Sequence, residues 1–171
     1  MILRLLLLSV IGLAAIACNP MPRSNDYISE ISKREAVVIE RLEDIRSVQK
    51  AYLSRHGKFA GDFDSLMYFV KNDSLKGSTG WVNVNDSLFK PNYFNIDSLP
   101  YIPFSDNVKF TIKSGSIERG LITLPVFEVS ADANLYLHDL NCDLYGFYDS
   151  EVFFGLKIGS MLEASLDGNW E

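Results

Sequence analysis

Apolar residues recur mostly three or four positions apart from residue 25 to residue 56, a stretch that contains neither Gly nor Pro. The repeating positions are Ile28, Ile31, Val38, Leu42, Ile45, Val48 and Tyr52. Such spacing places side chains on one face of a helix. Charged residues occupy intervening positions, and we expect them on the opposite, solvent-facing side: Lys33, Arg34, Glu40, Glu43, Arg46 and Lys50. The pattern predicts one long helix over 25–56, ended by Gly57.

A second, shorter helix is predicted over 62–73. Asp62 or Asp64 would cap its first turn, because a carboxylate accepts hydrogen bonds from the free N–H groups there. Its apolar residues share one face: Phe63, Leu66, Phe69 and Val70. We expect this face to pack against the end of the long helix that carries Tyr52.

The last part of the chain, 81–171, is predicted to be mainly β-structure. Apolar and polar residues alternate over 107–113, which is typical of a strand with one buried face. Ser114, Gly115 and Ser116 then predict a turn, 121–129 predicts the partner strand, and 156–160 predicts a closing strand. Pro125 indicates either a bulge or a sheet edge. The predicted fold class is α+β, with the long N-terminal helix packed on an antiparallel β-sheet and residues 25–171 forming one domain.

The first residues form a targeting segment. Arg4 is followed by an apolar run over 5–17, shorter than the roughly 20 residues that a membrane-spanning helix needs. Residues 1–17 therefore predict a signal peptide. The run ends in Ala15-Ile16-Ala17-Cys18, which resembles a bacterial lipobox, so Cys18 is the predicted lipidation site and 18–24 a lipidated tether. An ordinary signal peptide with a coincidental cysteine, or an uncleaved short anchor, are the alternatives.

The charge balance bears on the partner class. The full chain has a net charge of −6. Removing residues 1–17 takes away Arg4 and no acid, which leaves 15 basic and 22 acidic side chains, a net charge of −7. An acidic chain without a Lys/Arg block has no electrostatic footprint for phosphate backbones, so we expect no nucleic-acid partner. The expected partners are a membrane, through the N-terminal lipid, and another envelope protein.

One stretch, residues 41–71, carries a resemblance to known proteins. It resembles the helix and following loop of type II secretion pseudopilins and type IV pilins, and the matching residues are Leu42, Ile45, Arg46, Gln49, Ala51, Tyr52, Gly57 and Phe59. The resemblance implies a pseudopilin-like head, a long helix before a small antiparallel sheet. The chain departs from pilins at Pro20 and Pro22, which separate the apolar segment from the helix, and it lacks a prepilin cleavage signal. Polymerisation through that helix is therefore not expected.

Most of the chain also resembles a family of uncharacterised, membrane-anchored bacterial envelope proteins. The matching segments are Phe63-Asp64, Leu66, Phe69-Val70-Lys71, and residues 101–104, 125–129 and 155–171. The resemblance implies a location in the cell envelope, as a lipoprotein facing the periplasm or the surface. It implies no activity.

Candidate chemistry is sparse. The two histidines, His56 and His138, lie in no catalytic motif, and Cys142 has acid beside it, which disfavours a reactive thiolate. Asp139, Asn141 and Asp143 alternate as in a calcium loop but lack the later bidentate Glu and the mid-loop Gly. We expect no catalytic residues, no metal site and no cofactor, and calcium binding by these acidic loops is left open.

Aromatic residues are the remaining candidates. Tyr145, Phe147, Tyr148, Phe153 and Phe154 make a more apolar segment than a loop needs, so we consider them a partner-binding patch, with plain core packing as the alternative. The predicted function is that of a non-catalytic envelope lipoprotein acting through protein–protein contacts, in a secretion or surface-assembly apparatus. The alternative is a surface module that binds glycan or peptide through its aromatic segments.

Overall fold

The computed structural model describes residues 24–72, 96–140 and 153–171. In chain order the elements are α1 (Ser24–His56), α2 (Phe63–Asn72), a 3-10 turn (Ile96–Ser98), β1 (Thr111–Arg119), β2 (Ile122–Asp132), the single-turn helix α3 (Ala133–Tyr136) and β3 (Gly155–Gly159). The α+β class is confirmed, with one long N-terminal helix and an antiparallel sheet. The predicted signal peptide 1–17 and the tether 18–24 up to Arg23 lie outside the described residues.

The chain divides into two units, and the boundary falls between Ile31 and Ser32 of α1. The described part of the first unit consists of the first turns of α1, where Ile28 is 62% exposed. The remainder of α1, helix α2 and the sheet belong to the second unit. None of the helices in the described ranges is long and apolar enough to cross a lipid bilayer.

The apolar stripe predicted for α1 is buried along the middle of the helix. Val38, Leu42, Ile45 and Val48 are each at most 1% exposed. Two polar residues share this buried stripe, Arg34 and Gln49. The prediction that Arg34 faces solvent is therefore wrong: it lies one helical turn before Val38, and its guanidinium reaches hydrogen-bond acceptors more than one hundred residues away.

Helix α2 begins and packs as the sequence predicts. Asp62 caps it, because its carboxylate accepts a hydrogen bond from the Ser65 N–H (2.6 Å). This bond holds the pKa of Asp62 below its usual value. The apolar face of α2 is buried, and the rings of Phe69 and Tyr52 meet edge to face with centroids 5.2 Å apart. This contact joins α2 to the C-terminal end of α1, as expected.

The sheet is antiparallel with strand order β1-β2-β3. The predicted turn at Ser114-Gly115-Ser116 is wrong, since all three residues lie within β1 and pair with β2. The chain turns later, at Gly120 and Leu121, between the paired residues Arg119 and Ile122. Gly120 has a φ of 67°, which suits the first central position of a two-residue hairpin turn.

Pro125 lies at an open edge, one of the two alternatives that the sequence predicted. It pairs with Ser116 in a continuous register, so β2 has no bulge there. Counted from the hairpin turn, the backbone nitrogen of Pro125 faces away from β1, toward the side where β3 pairs. Because β3 pairs only with residues 128–132 of β2, the missing N–H removes no ladder hydrogen bond.

Strand β3 agrees with the predicted closing strand to within one residue at each end. Its outer edge is covered by the C-terminal segment, through hydrogen bonds from Gly159 N–H to Asp167 O and from Asn169 N–H to Lys157 O, both 3.0 Å. The ring of Trp170 lies directly over Gly168, where any side chain would collide with it. The inward side of the sheet is buried and completes the core with Phe127, Val129 and Ile158.

Candidate functional site

The most elaborate side-chain cluster surrounds Arg34 of α1. Its Nη1 donates hydrogen bonds to Tyr136 O (2.9 Å) and to Asp139 Oδ1 (2.5 Å), and its Nη2 donates to Asp139 Oδ2 (2.9 Å). The guanidinium carbon lies 5.1 Å from the ring centroid of Phe104. The hydrogen bonds from Arg34 hold the pKa of Asp139 at about 2, below its usual value.

Phe104 belongs to a short loop with an unusual backbone. Its φ is 63°, in the left-handed region that bulky residues rarely adopt. Its side chain is 46% exposed. The loop is closed by a hydrogen bond from Ile102 N–H to Val108 O (2.9 Å) and is braced inside by Ser105. The contact between Arg34 and Phe104 helps to hold this strained conformation.

The Arg34 cluster is suited to holding elements together. The Arg34 fork is engaged by a backbone carbonyl and a carboxylate of its own chain, so its donors are directed at protein groups. It ties α1 to the segment that follows β2, which local sequence spacing did not predict. We interpret it as a structural clamp that leaves one exposed aromatic ring, Phe104, at its rim.

A second set of interacting charged residues, Arg41 and Asp44, lies at the middle of α1. Arg41 donates a hydrogen bond to the backbone oxygen of Ser98, and Asp44 lies one turn further along the helix. Burial raises the pKa of Asp44 to about 6, a rise that Arg41 opposes and that the neighbouring Glu40 and Glu43 increase. Asp44 therefore exchanges a proton in a mildly acidic range.

The structure describes two of the five predicted partner-binding residues. Phe153 is 43% exposed and its ring lies against Gly155, whereas Phe154 is half-buried and its backbone oxygen accepts a hydrogen bond from Ala133 N–H (3.0 Å). Tyr145, Phe147 and Tyr148 lie outside the described residues, as does the predicted lipidation site Cys18. A joint aromatic patch therefore stays a prediction.

The residues considered for catalysis or metal binding are placed as follows. His56 lies at the C-terminal end of α1, with its ring 4.3 Å from that of Tyr52, and His138 Nδ1 lies 3.2 Å from Leu135 O. Asp139 is paired with Arg34, while Asn141, Cys142 and Asp143 fall outside the described ranges. Within those ranges, no group of three or more His, Cys, Asp or Glu side chains could hold a metal ion.

An exposed apolar surface that the sequence analysis missed lies on the β1–β2 hairpin. We define the hairpin patch as Ile117, Leu121, Ile122 and Leu124. Ile117 and Leu124 are directly opposite each other, Ile122 is 58% exposed, and Leu121 at the turn is fully exposed. Since side chains alternate between faces, Leu124 and Ile122 lie on the face opposite to the buried Phe127.

The sequence did contain a signal for the hairpin patch. Apolar residues occupy even positions at the start of the β1 region, Phe110 and Ile112, and then an odd position, Ile117. A change of phase moves the apolar side chains to the other face of a strand. On that outer face Met161 covers Gly115, the residue paired with the buried Val126. Toward the turn, Ile117 and Leu124 are half-buried, and Ile122 and Leu121 are exposed.

The chain was compared with known proteins at the level of families, sequences and structures. No protein-family model, no curated protein and no solved structure matches it.

Proposed function

We propose that the protein is a non-catalytic, membrane-anchored component of the bacterial cell envelope that acts through protein–protein contacts, within a secretion or surface-assembly apparatus. The hairpin patch carries the proposal. Ile122 exposes apolar surface on the side of the hairpin away from the core, and Leu121 is fully exposed at the turn. Contiguous exposed apolar surface on a folded domain is typical of an interface that a partner covers.

The change of phase along β1 strengthens the proposal. A strand that needs only one buried face keeps its apolar residues on that face. Here the core face is apolar at Phe127 and Val129, and the outer face becomes apolar toward the turn, at Ile117 and Leu124. A partner that covers the distal part of the hairpin would explain why the outer face becomes apolar there.

The anchored location rests on the sequence around Cys18. Acylation of a cysteine after a signal peptide gives a mature N-terminus with several acyl chains, and more than one chain is needed for stable membrane attachment. Anchoring would confine the hairpin patch to a thin layer near the membrane, where its local concentration relative to other anchored proteins is raised.

The proposal is tested by recovering the tagged, full-length protein from crosslinked cell envelopes. The wild type is compared with Cys18→Ala, with Ile122→Gln in the hairpin patch, and with Ile28→Gln as the matched control, because Ile28 is a similarly exposed isoleucine on α1 (62% against 58%). We expect a defined set of partners that is lost with Cys18→Ala and Ile122→Gln and retained with Ile28→Gln. Recovery of the wild-type protein alone, at normal abundance, would refute the proposal.

A further inference from the structure

Within residues 24–72, 96–140 and 153–171, the outer edge of β1 is the free edge of the sheet. Arg119 and Ile122 close a two-residue turn, so they form a hydrogen-bonded pair, and every second residue back along β1 does the same. The backbone groups of the residues between them therefore point away from β2. These residues are Ile112, Ser114, Ser116 and Glu118, and in the described part of the chain their outward N–H and C=O groups have no hydrogen-bond partner.

The same edge already accepts a short segment just upstream. Phe110 N–H donates to Pro100 O (2.9 Å), Ile102 N–H donates to Val108 O (2.9 Å), and Tyr101 pairs with Lys109 in antiparallel orientation. Residues 100–102 thus pair with residues 108–110, directly before β1, where a fourth strand would lie. This pairing ends at Phe110. The outward backbone groups of residues 112–118 continue this edge. The antiparallel pairing of the upstream residues shows how a further strand would be oriented there.

Strand β1 carries charged side chains, Lys113, Glu118 and Arg119, but it lacks the other features that usually protect an exposed edge. It has no Pro and no bulge, its middle consists of the small residues Ser114, Gly115 and Ser116, and its register with β2 is continuous over all nine residues. The opposite edge of the sheet, at β3, is covered by residues 167–169. Among the described residues, the β3 edge is therefore covered, whereas the β1 edge is open beyond Phe110.

The side chains on the outer face of β1 specify the charge of an incoming strand. They are Thr111, Lys113, Gly115, Ile117 and Arg119, which include two cations and no acid, in a chain with a net charge of −6. Lys113 and Arg119 are six residues apart, about 20 Å at ~3.3 Å per residue, with Ile117 between them. An added strand that places carboxylates opposite both cations and an apolar side chain opposite Ile117 would complement this row.

We propose that the outer edge of β1 binds an extended segment of the partner protein as an additional antiparallel strand, in which two acidic residues flank an apolar one. The inference rests on the proposed function, because it assigns the partner a binding mode and a sequence chemistry. The segment takes backbone hydrogen bonds from residues 112–118 and selectivity from Lys113, Ile117 and Arg119. The hairpin patch lies on the same face and continues the contact toward the turn.

A second copy of this chain fits the edge poorly. Two β1 strands paired around Gly115 would place Lys113 opposite Ile117 and Thr111 opposite Arg119, and neither β1 would supply a carboxylate to that face, where the acid opposite Lys113 is Glu128 of its own β2. Pairing around Ser116 would place Lys113 opposite Arg119, and like charges in directly opposed positions are destabilising. The chemistry of the row therefore favours a different, acidic segment.

The binding mode is tested with a capped probe peptide, acetyl-Glu-Thr-Val-Thr-Tyr-Thr-Glu-amide, and a probe with Lys at both ends. Chemical shifts and amide hydrogen exchange are measured on the isotope-labelled protein. We expect the acidic probe to protect the amides of Ile112, Ser114, Ser116 and Glu118, and to bind at least about tenfold more tightly than the Lys probe, a difference of about 1.4 kcal/mol. Equal binding of the two probes, or protection elsewhere, would overturn the proposal.

Two matched variants separate backbone pairing from side-chain contact. Ser116→Pro removes one outward N–H without breaking a bond to β2, whereas Ser116→Ala keeps that N–H. We expect Ser116→Pro to weaken the acidic probe about tenfold or more and Ser116→Ala to leave it unchanged. If Ser116→Pro does not fold, a probe N-methylated at the Thr opposite Ser116 tests the same hydrogen bond on the wild-type protein. Equal binding of the N-methylated and plain probes would overturn the proposal.

Envelope capture with the same variants distinguishes the two proposals. Loss of the partner with Ser116→Pro but not with Ser116→Ala supports edge pairing. Partner recovery that survives Ser116→Pro and is lost with Ile122→Gln refutes edge pairing and leaves the proposed function standing. Protection of the β1 amides that grows with protein concentration, in the absence of probe, would assign the edge to a second copy and refute the acidic segment.

Discussion

The side-chain amide of Gln49 makes two hydrogen bonds with the backbone of Ala60: Nε2 donates to Ala60 O and Oε1 accepts from Ala60 N–H, each at 2.9 Å. Gln49 is fully buried on α1, and Ala60 lies in the connection to α2. The amide thus satisfies both polar groups of one buried peptide position, as a neighbouring strand would. This pairing fixes the path of the chain between the two helices.

We predict that Gln49→Leu destabilises the protein by about 2–6 kcal/mol, because it leaves the buried N–H and C=O of Ala60 unpaired at about 1–3 kcal/mol each. Urea unfolding followed by circular dichroism measures the loss. Gln49→Glu keeps the acceptor for the Ala60 N–H and loses the donor, and it buries a charge, so it is also expected to destabilise. A Gln49→Leu variant as stable as the wild type would contradict this role.

We predict that substitution by alanine destabilises the protein less at Gly57 than at Gly159. Both have left-handed backbones, with φ of 70° and 76°. A Cβ at Gly57 meets nothing within 4 Å, whereas one at Gly159 would lie 2.3 Å from Phe127 O. Gly57→Ala should cost about 1–2 kcal/mol from the backbone conformation alone, and Gly159→Ala about 3 kcal/mol or more because β2 must shift. Equal losses in urea unfolding would contradict the clash.

The pair of Arg34 and Asp139 predicts a loss of stability in acid. The pKa of Asp139 is about 2 in the folded protein, below its usual 3.8, so the folded state favours the carboxylate. Its stabilising contribution is present above about pH 4 and is lost as the pH falls from 3.8 toward 2. The stability difference between wild type and Asp139→Asn should shrink over that range. A difference that stays constant as the pH falls from 5 to 2 would contradict this role.

Asp44 predicts the opposite trend at higher pH. Burial raises its pKa to about 6, so between pH 3.8 and 6 the folded protein binds more protons at Asp44 than the unfolded chain does. Stability due to Asp44 therefore falls as the pH rises through this range. Asp44→Asn should become more stable than the wild type across the same interval and keep its advantage at pH 7. Urea unfolding at half-unit pH steps measures this difference, and a constant difference from pH 4 to 7 would argue against the shift.

The helices and the closing strand were predictable because their signals are local. The spacing of Val38, Leu42 and Ile45 determined the buried side of α1, and the carboxylate of Asp62 marked the start of α2. Apolar periodicity and capping act within one or two turns, so the sequence displays them directly. The fold class followed from the same signals.

The wrong predictions concern residues whose position depends on contacts with distant parts of the sequence. Gly115 between two serines resembles a turn locally, but Met161 packs against it and its register with Val126 keeps it in β1. Arg34 was expected in solvent because it is charged, yet Tyr136 and Asp139 supply its acceptors from over one hundred residues away. The hairpin patch was missed for a different reason, since its change of phase was visible but the two strands were assigned a turn in the wrong place.

Pro125 also limits what can be added to the other side of the hairpin. Its nitrogen faces the side where β3 pairs, so a third strand that extended along β2 past Pro125 would lose a hydrogen bond. In the described part of the chain, the distal part of the hairpin is a two-stranded ribbon. Two-stranded ribbons coil more strongly than wider sheets. The row of backbone groups on β1 therefore rotates along its length, and a straight, rigid strand would lose alignment after a few residues. For the proposed edge pairing, this twist favours short or pliable segments.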